Sequence, residues 1–400
     1  MGGGMMNGAD TAWILAATAL VLFMTLPGLA LFYGGLVRGR NVLSVFMHCF
    51  AIACLMSLLW VICGYSIAFG ETGGVWGGVW GGLSKAFMLG VGPGSLTGTL
   101  PEPLFAAFQM TFAIITPALI VGAYVERVGF GFVLGFSGLW MLLVYAPVAH
   151  WIWGGGMLSA GGIFGVGVKD FAGGIVVHET AGLAALVVAV LIGPRRNQKT
   201  PPHNPGMVMM GAGMLWVGWF GFNGGSQLAA DGGAAMAVLV THLSAAAAAL
   251  SWMLWERIKF GRASMVGIVT GAVAGLASVT PASGYVLPWQ ALVIGAVAGV
   301  LCQEAVGFVR YRLKIDDTLD VFAVHGVGGI FGTIMVAAFG HGAWGAQLGG
   351  LLVVGVYTVL VTVLLAKALS LVVPLRVDAE AEASGLDLSA HGERAYELNS

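Results

Sequence analysis

"ALVLFMTLPGLALFYGGLVRGRNVLS" (residues 19–44) decides the fold class. From Ala19 to Val37 it carries no charged side chain, and then Arg38 and Arg40 follow closely. An apolar run of about 20 residues spans the hydrocarbon core of a bilayer as a helix. Arginines just beyond such a run mark its cytoplasmic end.

The same pattern recurs along the chain. Eleven spans are expected, at 12–35, 42–69, 103–125, 130–150, 173–193, 206–226, 234–256, 264–280, 287–309, 325–340 and 345–373, with the eighth and tenth the shortest. Hydrophobic residues make up 58% of the 400 and charged residues 9%, against roughly 45–50% and 25% in a soluble domain. The mean hydropathy is +0.92. A β-barrel would show short alternating segments instead. The chain is therefore read as an all-α polytopic membrane protein.

Basic residues set the expected orientation. Arg127, Arg195, Arg196, Lys199, Arg257, Lys259, Arg262, Arg310, Arg312, Lys314, Arg376 and Arg394 all follow odd-numbered spans, whereas the opposite loops hold only Lys85 and Lys169. The positive-inside rule puts the N-terminus outside and the C-terminus in the cytoplasm. The net charge of −1 gives no hint of nucleic-acid binding. MGGGMMNGAD has no basic n-region, so no cleavable signal peptide is expected; a mature chain whose leader has been removed fits equally.

Cys49, Cys54, Cys63 and Cys302 lack metal or redox spacing and read as packing residues. Glycine is abundant, at 65 residues, and "GAVAG" occurs at 271–275 and 295–299. Small-xxx-small spacing lets helix backbones approach closely in lipid. "GGVWGGVWGG" (73–82) reads as an interfacial cap. Residues 1–373 form the expected membrane domain, and the acidic, polar residues 374–400 a cytoplasmic tail.

Ionisable groups within spans are costly and are functional candidates by default. His178 falls mid-span in the fifth segment and His325 opens the tenth. Asp170 precedes the first by eight residues and Asp320 the second by five. Spans 1–5 and 6–10 would then form an inverted repeat with a site at the midplane. Neutral imidazoles can line a path for a small polar solute, since they both donate and accept hydrogen bonds. Two histidines without a further ligand fall short of a closed metal site. His48, His150 and His242 read as packing residues. Phe108 and Phe112 share one face of span three, and Trp219, Phe222 and Ser226 one face of span six. With Trp153 and Asp170 on the outer side, aromatic faces and one hydroxyl suit a small cation.

These residues and blocks resemble the Amt/Mep/Rh ammonium transporters, on the Amt branch. The matching blocks run from residues 19–44, through "DFAGGIVVH", "WFGFNGGS", "VTPASGY" and "DDTLDVFAVHGVGGI", to "GLDLSAHGERAYEL" (385–398). The resemblance implies a cell-membrane homotrimer with one ammonia-conducting pore per subunit and no cofactor or enzyme activity. Ammonium would be recruited at the outer site and deprotonated. The resemblance makes Trp153, Phe108 and Ser226 that site, with Asp170 needed for its architecture. Phe112 and Phe222 resemble the gate, His178 and His325 the twin pore histidines, and Trp219 the pore wall. Thr280 resembles a helix-break residue near the outer vestibule. Glu179 departs from the pattern, which has an uncharged residue there, and is expected to point away from the lumen. The tail resembles the segment that helps present a surface blocked by a PII signalling protein. The alternative within this resemblance is an ammonium sensor with little flux. A membrane enzyme would show a cofactor motif or a nucleophile–base pair, and none is found.

Overall fold

The computed structural model describes residues 5–198 and 201–396. Among these, nine helices are long and apolar enough to cross a membrane: α1 (Gly8–Leu36), α2 (Gly39–Phe69), α3 (Glu102–Tyr124), α4 (Phe130–Ile152), α5 (Gly174–Ile192), α6 (Pro205–Gly224), α7 (Gly232–Phe260), α9 (Pro288–Arg312) and α11 (Trp344–Ser370). Two shorter apolar helices, α8 (Met265–Val279) and α10 (Phe322–Ala338), complete the bundle. They coincide with the short eighth and tenth spans expected from the sequence. Two turns of helix, α12 (Ala379–Ser384) and α13 (Leu386–His391), lie in the tail. One small antiparallel hairpin, β1 (Leu96–Thr97) with β2 (Leu100–Pro101), precedes α3.

Glycine sets how closely these helices cross. Where α5 meets α10, a β-carbon on Gly182 would stand 2.3 Å from the Gly326 Cα. A β-carbon on Gly329 would stand 2.7 Å from the His178 Cβ. No larger residue fits at either crossing, and the contact carries the two candidate histidines on adjoining backbones. The two GAVAG stretches do the same work against α7. β-Carbons on Gly275 and Gly295 would stand 2.5 and 2.2 Å from the Ser244 carbonyl oxygen. The close-packing expectation for these motifs therefore matches the contacts.

α5 and α10 open alike, on a π turn. The turns are Gly174–Glu179 and Phe322–Gly326, and each contains its histidine. His178 thus sits in the opening turns of α5, not mid-span as the run of apolar residues suggested. The Asp170 carboxylate accepts from the amides of Gly173, Gly174, Ile175 and Val176 at 2.6–3.0 Å. At α10 the equivalent cap is Asp317, which accepts from the Phe322 amide at 2.7 Å. Asp320, the partner chosen from sequence, instead lies at φ 58° and pairs with Arg310 at 2.9 Å. With Asp317 as the cap, both aspartates precede their histidines by eight residues. Burial pushes the Asp317 carboxyl up to about 7, with Asp320 adding to the shift against the amide hydrogen bonds.

The face bearing the 70–101 and 153–173 connections is called here the loop face. The glycine–tryptophan segment packs onto the end of α4 there: the His150 ring lies between the carbonyl oxygens of Ala68 and Gly77, at 3.0 and 2.9 Å, and Trp151 donates to Val79. Trp76 remains 67% exposed on that segment. His150 is a satisfied packing residue, as expected.

The opposite, tail face is tied by buried charge. Arg127 reads in sequence as a basic loop residue, yet it is fully buried and donates to Gly193, Val125, Ala123 and Asp316 carbonyls and to Thr318. Glu126 accepts from the Arg38 amide, Asn41 and Arg195. The tail joins this layer through hydrogen bonds rather than exposed ion pairs. Val377 donates to the Arg127 carbonyl, Glu382 accepts from the Arg196 amide, and Leu386 donates to Asn41. Asp387 accepts from the Ser44 amide at 2.7 Å, so a tail carboxylate caps the first turns of α2.

Candidate functional site

A column of candidate residues runs through the bundle from the loop face to the tail face. At its top is a cavity of about 310 Å³ lined by Phe69, Phe105, Gln109, Phe112, Trp153 and Ser226, among others. Trp153 is held there by its indole N–H, which donates to the Asp170 carbonyl at 2.8 Å. Both oxygens of the Asp170 carboxylate are taken by the four amides, and the residue does not line the cavity. Asp170, grouped in the sequence reading with the outer-site residues as part of their architecture, thus caps α5 and holds the Trp153 ring beside the cavity. Phe108 stands directly behind Phe112 in the wall of this cavity. It is fully buried, edge-on to Phe112 at 5.1 Å between centroids, and Phe69 and Phe105 contribute to the lining.

The polar edge of this cavity includes acceptor oxygens. The Ser226 hydroxyl donates to the Phe222 carbonyl at 2.8 Å, which leaves its oxygen lone pairs for an incoming donor. Gln109 Oε1 is buried on the same wall without a partner among the described residues, and sequence reading had not singled it out. Its adjacency to Phe108 was the available signal. A small cation that is all donors meets ring faces and oxygen acceptors here.

Beneath the cavity Phe112 and Phe222 lie with centroids 4.3 Å apart and planes at 32°. Each is 1% exposed. Phe222 rides on a π turn of α6, Phe220–Gly224. The ring pair separates the outer cavity from a bore of about 10 Å³, lined by Met24, Leu29, Ile115, Leu119, Trp219, His178 and His325, among others. That volume is near the smallest that admits one water.

Within the bore the His178 and His325 rings face each other Nδ1 to Nδ1 at 3.2 Å. One of the two nitrogens carries the shared proton, since two bare lone pairs would repel. His178 also stacks within 5.5 Å of Trp219 and 6.0 Å of Phe222. Trp219 is fixed by a hydrogen bond to Thr280 at 2.9 Å, and Thr280 in turn donates to the Leu276 carbonyl. Thr280 therefore acts through the pore wall. His325 also lines a vestibule of about 810 Å³ that opens on the tail face beside Arg195, Arg310, Lys314 and Asp320. Among the described residues no three His, Cys, Asp or Glu side chains gather where a metal could be held.

Aromatic cavity, ring gate, histidine bore and wide vestibule define a membrane protein built to pass something small and polar. The profile of the Ammonium Transporter Family matches residues 12–396, and the chain belongs to that family. The ammonium transporter of Bacillus subtilis is 42% identical over 411 residues, covering 98% of this chain and 99% of its own length. The crystal structure of Candida albicans Mep2 is similar at a TM-score of 0.85 and 34% identity, over 98% of this chain and 91% of that one. A Sensor Amt Protein is similar at a TM-score of 0.88 and 29% identity, over 96% of this chain and 98% of that one.

Proposed function

We propose that the chain conducts ammonia across the cell membrane after recruiting ammonium at the loop face. The observation that carries this is the unbroken order of the column: acceptor-edged aromatic cavity, ring pair at 4.3 Å, histidine pair at 3.2 Å, vestibule. Trp153, Phe112, Gln109 and Ser226 hold the cation by ring faces and oxygen lone pairs. Charge is costly in an apolar bore, so the cation gives up a proton, which is carried separately or left behind in the outer water, and the neutral molecule passes. The histidines offer it hydrogen bonds where the rest of the wall is apolar. A potassium ion has no proton to shed and is refused. This is transport without chemical conversion of the solute, so no enzyme activity is proposed.

The basic residues of the tail face support a cytoplasmic side there, with the loop face outside. Residues 374–400 are proposed as a regulatory appendage of the membrane domain, the assembly as a homotrimer, and the tail face as the surface a PII-type protein would cover. One neighbour in fold bears the name of a sensor, which supports the alternative of ammonium sensing with little flux. Reconstitution in proteoliposomes tests both: a saturable, ammonium-specific flux supports conduction, and binding without flux supports sensing.

A further inference from the structure

Two basic side chains, Lys85 and Lys169, belong to the loop-face connections, and both are set in the same way. The Lys85 Nζ lies over the Tyr65 ring, 5.7 Å from its centroid, and the Lys169 Nζ over the Tyr285 ring at 6.0 Å. Each tyrosine packs on phenylalanines that line the outer cavity. Tyr65 lies 5.8 Å from Phe69 and 6.5 Å from Phe105 between centroids, and Tyr285 lies 5.7 Å from Phe171. A ring face within about 6 Å of an ammonium group attracts it. Beside the cavity the chain fills such faces with ammonium groups of its own.

The backbone holds both lysines in place. Lys85 donates its amide to the Ser66 Oγ at 2.9 Å. Shortly beyond it Phe87 and Met88 take left-handed φ values of 55° and 57°. That conformation is costly for residues other than glycine and persists only where the surroundings enforce it. Lys169 has its amide and its carbonyl both bonded by the Gln347 side chain, at 2.6 and 2.8 Å.

Lys85 also closes a carboxylate. Its Nζ pairs with Glu102 Oε1, which accepts in addition from the Tyr65 hydroxyl at 2.9 Å. Glu102 is buried and opens α3. Phe105 and Gln109, three and seven residues on, follow it along one face of that helix and line the cavity. At 1.5 Å of rise per residue, position 102 stands about 10 Å from Gln109 along the axis. A unit charge about 10 Å away changes a cation's affinity severalfold near a protein surface. A bare carboxylate draws any small cation by charge alone, potassium included. The cavity's acceptor oxygens instead suit a solute with N–H donors.

We propose that Lys85 and Lys169 are tethered cations that close the two tyrosine faces and the Glu102 carboxylate to solute, so that a free cation is taken in the cavity and not beside it. Lys85 is thus a specificity-determining residue that keeps a carboxylate indifferent to ion type out of the recruitment step. The proposal rests on the reading of this cavity as the ammonium site.

Uptake of ammonium by proteoliposomes of the full chain, with and without excess potassium at constant ionic strength, tests it. The variants are Lys85→Met, Lys85→Arg, Lys169→Met and the double variant Lys85→Met with Glu102→Gln. Lys85→Met should lower the ammonium KM about threefold, as a carboxylate about 10 Å away loses its counter-charge, and should make uptake sensitive to potassium. Lys85→Arg keeps the charge and should behave as wild type. The double variant should return both KM and potassium insensitivity to wild-type values, which an ion pair that merely staples the loop to α3 would not do. Lys169→Met should lower KM in the same direction at an unchanged maximal rate. A wild-type KM in Lys85→Met overturns the proposal, even if its maximal rate and melting temperature fall, as does a double variant that stays sensitive to potassium. Should Lys85→Met fail to fold, a wild-type KM in Lys169→Met overturns it. Each of these results leaves the proposed function standing, whereas absence of saturable ammonium uptake by the wild type overturns both.

Discussion

His178 and His325 meet Nδ1 to Nδ1 at 3.2 Å, and each lies eight residues beyond the aspartate that caps its own helix. The pair is built by two matched Asp-capped π turns crossing on glycines. Replacing either histidine with alanine leaves the other ring without its partner in an apolar bore. Ammonium-specific conduction should fall at least about tenfold, equivalent to 1.4 kcal/mol in the barrier, with folded yield preserved. Flux measured beside a melting curve checks this.

Asp170 holds four amides and, through its carbonyl, the Trp153 indole. Asp170→Ala orphans those buried amides and should cost about 2–4 kcal/mol, since hydrogen bonds to charged groups are worth about 1.5–3 kcal/mol each and are not additive. Asp170→Asn keeps one acceptor oxygen and should lose less. Thermal unfolding in detergent orders the three proteins.

Trp153 contributes a ring face to the outer cavity. Its replacement by leucine should weaken cation attraction by about 0.5–2 kcal/mol. The loss should be greatest at low ammonium and shrink toward saturation. Concentration dependence of uptake measures it directly.

Asp317 has its carboxyl pushed up to about 7 by burial, above the unfolded value of about 3.9. Between those values the folded state binds more protons than the unfolded state. This group's contribution is therefore fully present below about pH 4 and is lost as pH rises to about 7. Asp317→Asn should remove that slope. Melting temperature followed from pH 4 to 8 in both proteins reads it.

Asp387 of the tail caps α2 at the Ser44 amide and is 2% exposed. Asp387→Ala should cost about 1 kcal/mol as a lost cap, speed hydrogen exchange at Ser44, and expose the tail to protease. Truncation after Pro374 should leave the bundle folded while lowering or deregulating transport.

The spans were legible because a membrane imposes one length and one composition on each helix, and even the short α8 and α10 stand out. The histidines and the ring pair were legible as costly or clustered residues, with their roles supplied by family resemblance. What escaped depends on backbone course. A left-handed φ of 58° turns Asp320 toward Arg310, which hands the cap to Asp317. Arg127 looks like a loop cation until the carbonyls around it are seen. Gln109 and Phe108 are neighbours in sequence, and only helix rotation decides which one lines the cavity. Asp387 bonds Ser44 across 343 positions of chain, a distance no local pattern reports.

The central claim is that ammonium is taken up through this column while ions of similar size that cannot lose a proton are refused. Paired flux measurements with ammonium and potassium, on the same proteoliposomes of wild-type protein, test it most directly. The account predicts saturable ammonium flux, unaffected by excess potassium, and potassium flux no greater than that of protein-free vesicles. Equal flux of the two ions, or no ammonium flux above protein-free vesicles, would contradict it.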